Sequence, residues 1–252
     1  MNYEMNNRVV LITGGTQGLG KGIAKKFLES EATVIITGRN KDTGAKAQAD
    51  LERLGNVEYY CADVSDENVV KELINYIVNK YKKIDYIVNN AATFNPNMKL
   101  HEVDSDAFKH LLGVDVMGTF FCMKYGIIQM LTQEERGRIV NISSNSSLKE
   151  LSGLSPYVAA KHAINGITRV AALDYALDNI RINAVCPGMI ETEAVQDVRE
   201  NDPTSYKMYR DMIPTNKIAT PNEVANAVIW LCSDESSAVT GTLNVVDGGS
   251  SI

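Results

Sequence analysis

Much of what marks other classes of protein is missing from this chain of 252 residues. Its four cysteines, Cys61, Cys122, Cys186 and Cys232, are scattered, with no C-x-x-C pair and no His/Cys cluster of metal-ligand spacing. That argues against a disulfide framework or a zinc site: the thiols read as reduced and mostly buried, and no metal is expected. Positive charge is not in excess, since 25 Lys and Arg stand against 31 Asp and Glu for a formal charge of -6. Nothing there would attract nucleic acid or an anionic membrane. No uninterrupted apolar run approaches the ~20 residues of a membrane span, and the opening MNYEMNNR lacks the apolar stretch of a signal peptide. A cytoplasmic protein is the expectation. Repeats, low-complexity tracts and Pro/Gly/Ser linkers are absent too, so a single domain over residues 1–252 is expected.

What is present is alternation. Short apolar, β-branched runs recur at residues 9–13, 33–37, 57–60, 86–89, 138–142, 181–185 and 243–246. Helical spacing fills most of the intervals, with Ile23/Phe27 and Ala24/Leu28 on one face of the first and Leu73/Ile77 and Ile74/Val78 on one face of a later one. Alternation of this kind predicts an α/β fold: a doubly wound, mostly parallel sheet of seven strands with helices on both faces. Residues 189–220 break the rhythm, with two prolines and the loose apolar group Tyr206, Met208, Tyr209, Met212 and Ile213. A long insertion after a strand reads either as a substrate-binding lid or as a surface helix packed on the core.

The first strand runs directly into Gly14-Gly15-Thr16-Gln17-Gly18-Leu19-Gly20. Glycines there permit a tight turn and let backbone N–H groups approach a pyrophosphate, whose charge the following helix N-terminus favours. A glycine trio is weak by itself; between the first strand and first helix of a βαβ unit it points to dinucleotide binding. An NAD site has an acidic residue about 20 positions on. Counting from Gly20 reaches Thr37-Gly38-Arg39-Asn40-Lys41, which has no carboxylate. Arg39 is instead suited to a bidentate contact with a 2′-phosphate, with Lys41 adding charge, so NADP(H) is favoured and NAD(H) stays open.

Near the middle of the chain, Ser155-Pro156-Tyr157 precedes Lys161 by one helical turn. Alone, Y-x-x-x-K is a commonplace helix-surface pair. Together with the glycine loop and an ordered set of further motifs it resembles the short-chain dehydrogenase/reductase family over nearly the whole chain. Asp63-Val64 resembles the family's adenine-contacting pair, and Asn89-Asn90-Ala91-Ala92 its N-N-A-G motif, with Ala92 in place of glycine. Asn141-Ile142-Ser143-Ser144 resembles the strand ending in the catalytic serine. Pro187-Gly188-Met189-Ile190-Glu191-Thr192 resembles the segment at the nicotinamide, and Val246-Asp247-Gly248-Gly249 the C-terminal signature. The resemblance implies cofactor contacts from Gly14, Thr16, Gln17, Gly18, Leu19, Gly20, Arg39, Asn40, Asp63, Val64, Asn90, Ala91, Ala92, Tyr157, Lys161, Pro187, Gly188, Ile190 and Thr192.

Residues four apart share a helix face, so Tyr157 and Lys161 can serve one site. Free tyrosine gives up its proton only near pH ~10, and a nearby ammonium together with the positive oxidised nicotinamide favours the phenolate. By resemblance, Tyr157 is the general acid/base between a ketone and a secondary alcohol, Ser144 bonds the substrate oxygen, and Lys161 also binds the ribose hydroxyls. Ser144 is chosen over Ser143 because it stands thirteen residues before Tyr157, the family spacing; Ser143, Ser146 and Ser147 read as loop serines. Where the family has an asparagine, three residues before Gly118, this chain has Asp115. A carboxylate only accepts hydrogen bonds, and near Lys161 it would offset the field on the tyrosine. A working enzyme with a shifted pH profile is expected.

The substrate is read as a small, mainly apolar ketone or secondary alcohol, cyclic or steroid-like, from the 189–220 residues together with Phe94, Met98 and Leu151. A 3-oxoacyl-carrier-protein reductase is the alternative. That resemblance implies a basic docking patch where this chain has Gln133-Glu134-Glu135-Arg136 and Asp178, which opposes an acidic carrier. Enoyl reductases of the related group use a longer Tyr–Lys spacing. From another class stands a non-catalytic NADP-binding sensor or scaffold, which would have no need of Ser144, Tyr157 and Lys161. The family also implies a homotetramer built on the Tyr157 helix, the neighbouring long helix and residues 243–252.

Overall fold

A computed structural model describes residues 3–94 and 97–252. Seven strands form one sheet: β1 (Val9–Ile12), β2 (Thr33–Gly38), β3 (Val57–Cys61), β4 (Tyr86–Asn89), β5 (Arg138–Ile142), β6 (Arg181–Pro187) and β7 (Leu243–Val246). Their order is β3-β2-β1-β4-β5-β6-β7, and every neighbouring pair is parallel. The helices are α1 (Gly18–Glu29), α2 (Lys41–Glu52), α3 (Glu67–Tyr81), α4 (Ser105–Leu112), α5 (Gly118–Met130), α6 (Ser155–Asp174), α7 (Glu193–Asn201), α8 (Pro203–Asp211) and α9 (Pro221–Cys232).

The strands are apolar on both faces because helices cover both faces. Val10, Ile12, Val34 and Ile36 pack with Ile23, Phe27 and Leu28 of α1 and Val228 and Ile229 of α9. The alternate residues Leu11, Ile35, Ile87 and Ile139 pack on the other side with Leu73 and Ile77 of α3 and Ile127 of α5. The strands fall where the apolar runs predict, with β2, β3 and β6 each extended by a residue or more at the C-terminal end. Strand order reverses between β1 and β4, and a doubly wound sheet opens its binding crevice beyond the strand ends at such a switch point.

The helical stretch Ser105–Met130 is long and apolar enough to cross a membrane by length and composition, but 56% of its apolar window is buried inside the fold. It is the helix that covers β4, and it is not continuous: residues Gly113–Met117 are wound as one π-turn between α4 and α5.

The 189–220 segment holds α7 and α8, and its ends are fastened by a single parallel bridge, Ile190 to Ala219. Met208 and Met212 are exposed, whereas Ile213 is only 6% exposed. Ile213 packs under the C-terminal turn, where a Cβ on Gly248 would come within 2.6 Å of it. It is therefore an anchor of the segment, not part of a pocket wall.

Candidate active site

A cleft of about 560 Å³ lies beyond the C-terminal ends of β1, β2 and β4. Gly14 and Gly18 take positive φ angles of 63° and 51°, which turn the chain from β1 into α1. A Cβ on Gly20 would lie 2.2 Å from the Gly14 carbonyl oxygen, so only glycine lets α1 begin this close to the loop. Gln17, at the N-cap of α1, makes no side-chain cap, and the first turn holds no acid, so the backbone N–H groups there face the cleft uncapped. That is a cradle for a phosphate group.

Of the residues expected at the cofactor, Gly14, Thr16, Gln17, Gly18, Leu19, Gly20, Arg39, Asp63, Val64, Asn90, Ala91, Ala92 and Thr192 line this cleft. Thr13 stitches its floor: its hydroxyl accepts from Asn90 N and Ala91 N, each at 3.0 Å, while Asn90 Nδ2 donates to the carbonyls of Thr13 and Gly14. Thr192 faces the glycine loop, its Cγ2 3.4 Å from where a Gly18 Cβ would stand. Arg39 sits at the ribose end, 3.9 Å from Asp63. Burial works against the Asp63 charge, but the Ser65 hydroxyl and amide, with Arg39, hold its carboxyl below the usual value.

Asn40 is placed differently from the expectation. Its Oδ1 accepts from Asp42 N at 2.9 Å and Thr43 N at 3.0 Å, capping α2, and it does not line the cleft. Tyr157, Lys161, Pro187, Gly188 and Ile190 lie outside the cleft lining as well, the last three at and just after the end of β6, with Gly188 backed against Asp247. The cleft adds Lys21, Thr43, Lys46 and Glu193, which sequence reasoning missed. Lys21 is paired to Asp50 at 2.7 Å. Lys46 carries positive charge to the same wall as Arg39, and its place in α2, one turn beyond Thr43, is the signal that spacing offered.

Tyr157 stands in the first turn of α6, which Pro156 opens. One turn on, Lys161 is buried, and its Nζ lies 5.3 Å from the centre of the Tyr157 ring. The ammonium donates to the Ile142 carbonyl at 3.3 Å and meets Asp115 Oδ2 at 3.2 Å. Asp115 is 0% exposed. Its Oδ1 accepts from Thr93 N at 2.8 Å, and its carbonyl oxygen accepts from Thr119 Oγ1 at 2.7 Å. The π-turn brings the side chain to this point. Burial pushes the Asp115 carboxyl up from its ordinary value, with Lys161 pulling the other way. The expected proximity of Asp115 to Lys161 is thus a direct, buried ion pair.

The serines after β5 divide by role. Ser143 Oγ donates to the Lys161 carbonyl at 3.2 Å, and Asn165 Nδ2 donates to Ser147 Oγ at 2.7 Å, so both are tied into α6. Ser144 Oγ accepts from Ser146 N at 3.1 Å at the start of the next turn, and among the described residues its own proton has only long contacts, to Ser146 Oγ at 3.2 Å and Asn145 Oδ1 at 3.4 Å. Phe94 packs edge-on against Tyr157, with ring centres 5.4 Å apart. Met98 and Leu151 line a separate groove of about 380 Å³ with Leu100 and Val158.

A phosphate cradle, a basic ribose end and a tyrosine–lysine pair occur here in the order the sequence motifs set. The family model described as enoyl-(acyl carrier protein) reductase matches residues 14–251. The chain belongs to the short-chain dehydrogenase/reductase family. It is 33% identical over 246 residues to the 2,5-dichloro-2,5-cyclohexadiene-1,4-diol dehydrogenase of Sphingobium indicum, covering 98% of each chain. It is 32% identical over 265 residues to the 3beta-hydroxysteroid dehydrogenase of Mediterraneibacter gnavus, covering 98% of this chain and 95% of that one. Among solved structures it is similar to ElxO with NADP bound, with a TM-score of 0.91, 34% identity and coverage of 96% and 98%. The family comprises oxidoreductases, and these relatives are named for dehydrogenation of alcohols.

Proposed function

We propose that this family member is an NADP(H)-dependent reductase that interconverts a secondary alcohol and a ketone on a small, mainly apolar, cyclic or steroid-like substrate. The observation that carries the reading is Lys161 Nζ held beneath the Tyr157 ring by Asp115 and the Ile142 carbonyl. When bound, the nicotinamide cofactor supplies or takes the hydride. Tyr157 gives its phenolic proton to the substrate oxygen during reduction and takes it back during oxidation. The ammonium of Lys161 favours the phenolate that results. Ser144, whose proton is weakly held, donates to the same substrate oxygen. Arg39, with Lys46 from α2, suits the 2′-phosphate that distinguishes NADP(H), and the segment Gly38-Arg39-Asn40-Lys41 at the end of β2 has no carboxylate of its own.

The relatives named for a cyclic diol and a steroid support the cyclic substrate. A carrier-protein substrate is less well supported. Glu135 is engaged by Arg8, and Arg136 donates to the Met130 and Leu131 carbonyls at the end of α5, which leaves no free cation there for an acidic partner.

We also read the outer faces of α5 and α6 as a homotetramer surface: Phe120, Ile128, Val170 and Leu173 are exposed on them, Leu173 at 79%.

The test is oxidation of NADPH and NADH against cyclic ketones, steroid ketones, 3-oxoacyl thioesters and sugars, with Tyr157→Phe as control. Turnover of cyclic ketones with NADPH, lost in the variant, upholds the proposal. Tight NADPH binding without any turnover favours the sensor reading.

A further inference from the structure

We infer that the C-terminal turn after β7 is the positioning device for Ser144, acting through Asn145; this rests on the reductase reading above. Asn145 Nδ2 donates to Ser250 Oγ at 2.9 Å and to Asp247 Oδ2 at 3.4 Å. Ser250 Oγ in turn donates toward Asp247, whose Oδ2 is 3.1 Å away and whose carbonyl is 3.0 Å away. Asp247 Oδ1 accepts from Gly249 N at 2.8 Å, which closes the turn, and Lys149 Nζ donates to the Ser250 carbonyl at 3.1 Å. The turn therefore holds both ends of the serine loop, Asn145 through Ser250 Oγ and the Asp247 carboxylate, and Lys149 through the Ser250 carbonyl.

The fixed amide has one further valence pointed at the chemistry. Its nitrogen is committed to Ser250 and Asp247, so its oxygen is the end turned toward Ser144 Oγ, at 3.4 Å. A bond that long is weak. It orients the hydroxyl without holding the proton against a substrate oxygen. Asn145 is thus a positioning residue that sets the line of donation from Ser144, and the tail fixes Asn145.

The same turn touches two other parts of the site. Any Cβ on Gly188 would stand 2.8 Å from Asp247 Cβ, so the segment after β6 is backed directly by Asp247. Thr215 N donates to the Gly248 carbonyl at 3.2 Å, and Ile213 packs against Gly248, so the end of the 189–220 segment rests there too. One short turn therefore registers the serine loop, the segment after β6 and the base of the candidate lid against one another. The tail resembles a family signature in sequence, but its connection to Ser144 runs through Asn145 and Ser250 of this chain.

The test uses the full chain with Asn145→Ala, Ser250→Ala and the conservative Ser250→Thr. A displacement of about 1 Å of an aligned group costs on the order of 100-fold in rate, so the Ala variants are expected to lower kcat by ~10-fold or more. NADPH affinity and Tm should stay near wild type, because the glycine loop is untouched, and Ser250→Thr should restore most of the rate. Amide hydrogen exchange at residues 144–148 should rise in Ser250→Ala. Unchanged kcat in both Ala variants overturns the inference while leaving the reductase reading intact. If the wild type turns over no ketone, that reading fails on its own, and exchange decides here: faster exchange at 144–148 upholds the coupling and unchanged exchange refutes it.

Discussion

Replacing Asp115 by Asn removes one negative charge from a wholly buried position without changing its shape. The carboxylate is 3.2 Å from Lys161 Nζ, which is 5.3 Å from the centre of the Tyr157 ring, so the charge lies at most about 8.5 Å from that ring. At an effective dielectric of roughly 20, a unit charge at that distance acts with about 2 kcal/mol, equivalent to about 1.4 pH units. The sign follows from the chemistry. Asp115 cancels part of the positive field of Lys161 at Tyr157, so its removal leaves that field stronger. The rising limb of alcohol oxidation against pH should therefore move to lower pH by about that amount in Asp115→Asn. The falling limb of ketone reduction should move the same way. The assay is kcat/KM in both directions across the pH range in which the fold survives, with Tm measured in parallel. Both Asp115→Asn and Asp115→Ala leave the buried ammonium without its counter-charge, but the Asn oxygen can still accept from Thr93 N, whereas Asp115→Ala removes every side-chain acceptor and should cost about 3–5 kcal/mol of stability. If the Asp115→Asn profile overlays the wild type while the protein remains folded and binds NADPH, the carboxylate does not tune Tyr157 and the reasoning is refuted.

Arg39→Ala combined with Lys46→Ala should weaken NADPH binding by about 100- to 10,000-fold, as expected for two charged hydrogen bonds worth about 1.5–3 kcal/mol each, and leave NADH binding unchanged. A fluorescence titration that shows equal losses for both cofactors would remove the 2′-phosphate reading. Leu173→Glu on the exposed face of α6 should break the assembly, seen by light scattering as a smaller particle; a wild type that is already monomeric ends that prediction. At the start of α9, Thr220 and Glu223 form a reciprocal cap, and Thr220→Ala should cost about 1 kcal/mol, lowering Tm by about 2–4 °C. The Lys217 ammonium, helped by the Thr220 amide, holds the Glu223 carboxyl down to about 2 from 4.5. The stability it contributes is present above about 4.5 and lost as pH falls toward about 2, so Glu223→Gln should flatten the acid side of a Tm–pH plot; a slope equal to wild type would contradict the assignment.

Short-range patterns made the architecture legible. Runs such as Val34, Ile35 and Ile36 are apolar on both faces, and only a strand covered by helices on both sides produces that pattern. The glycine loop was legible for the same reason, because Gly18 and Gly20 answer to local backbone geometry and close approach. Contacts between distant segments were not legible from period or spacing. Asp115 and Lys161 are separated by α5 and β5, and their proximity was expected only through the family resemblance. Asn40 shows the converse error. It stood beside Arg39 at a place where a polar residue would suit a ribose, yet its amide was already claimed by the first turn of α2, a local need that outranks a ligand's. Arg39 caps no helix and lines the cleft, paired only at 3.9 Å with Asp63, which lines it too.

The same distinction sorts the serines. Among the described residues, Ser143 and Ser147 are tied to the α6 helix, and the Ser144 hydroxyl reaches only weak acceptors. Family spacing picks Ser144 by counting back from Tyr157. The hydrogen bonds suit that choice over Ser143 and Ser147, since a group that must release its proton to an incoming oxygen cannot also be holding the fold together. The cost of the arrangement is a loop with a weakly held hydroxyl at its tip, and such a loop keeps its shape only if something outside it does the holding. Asn165 of α6 holds it at Ser147, and Asp247 and Ser250 hold it at Asn145, the residue next to that hydroxyl, which is the ground for assigning the C-terminal turn a part in positioning Ser144.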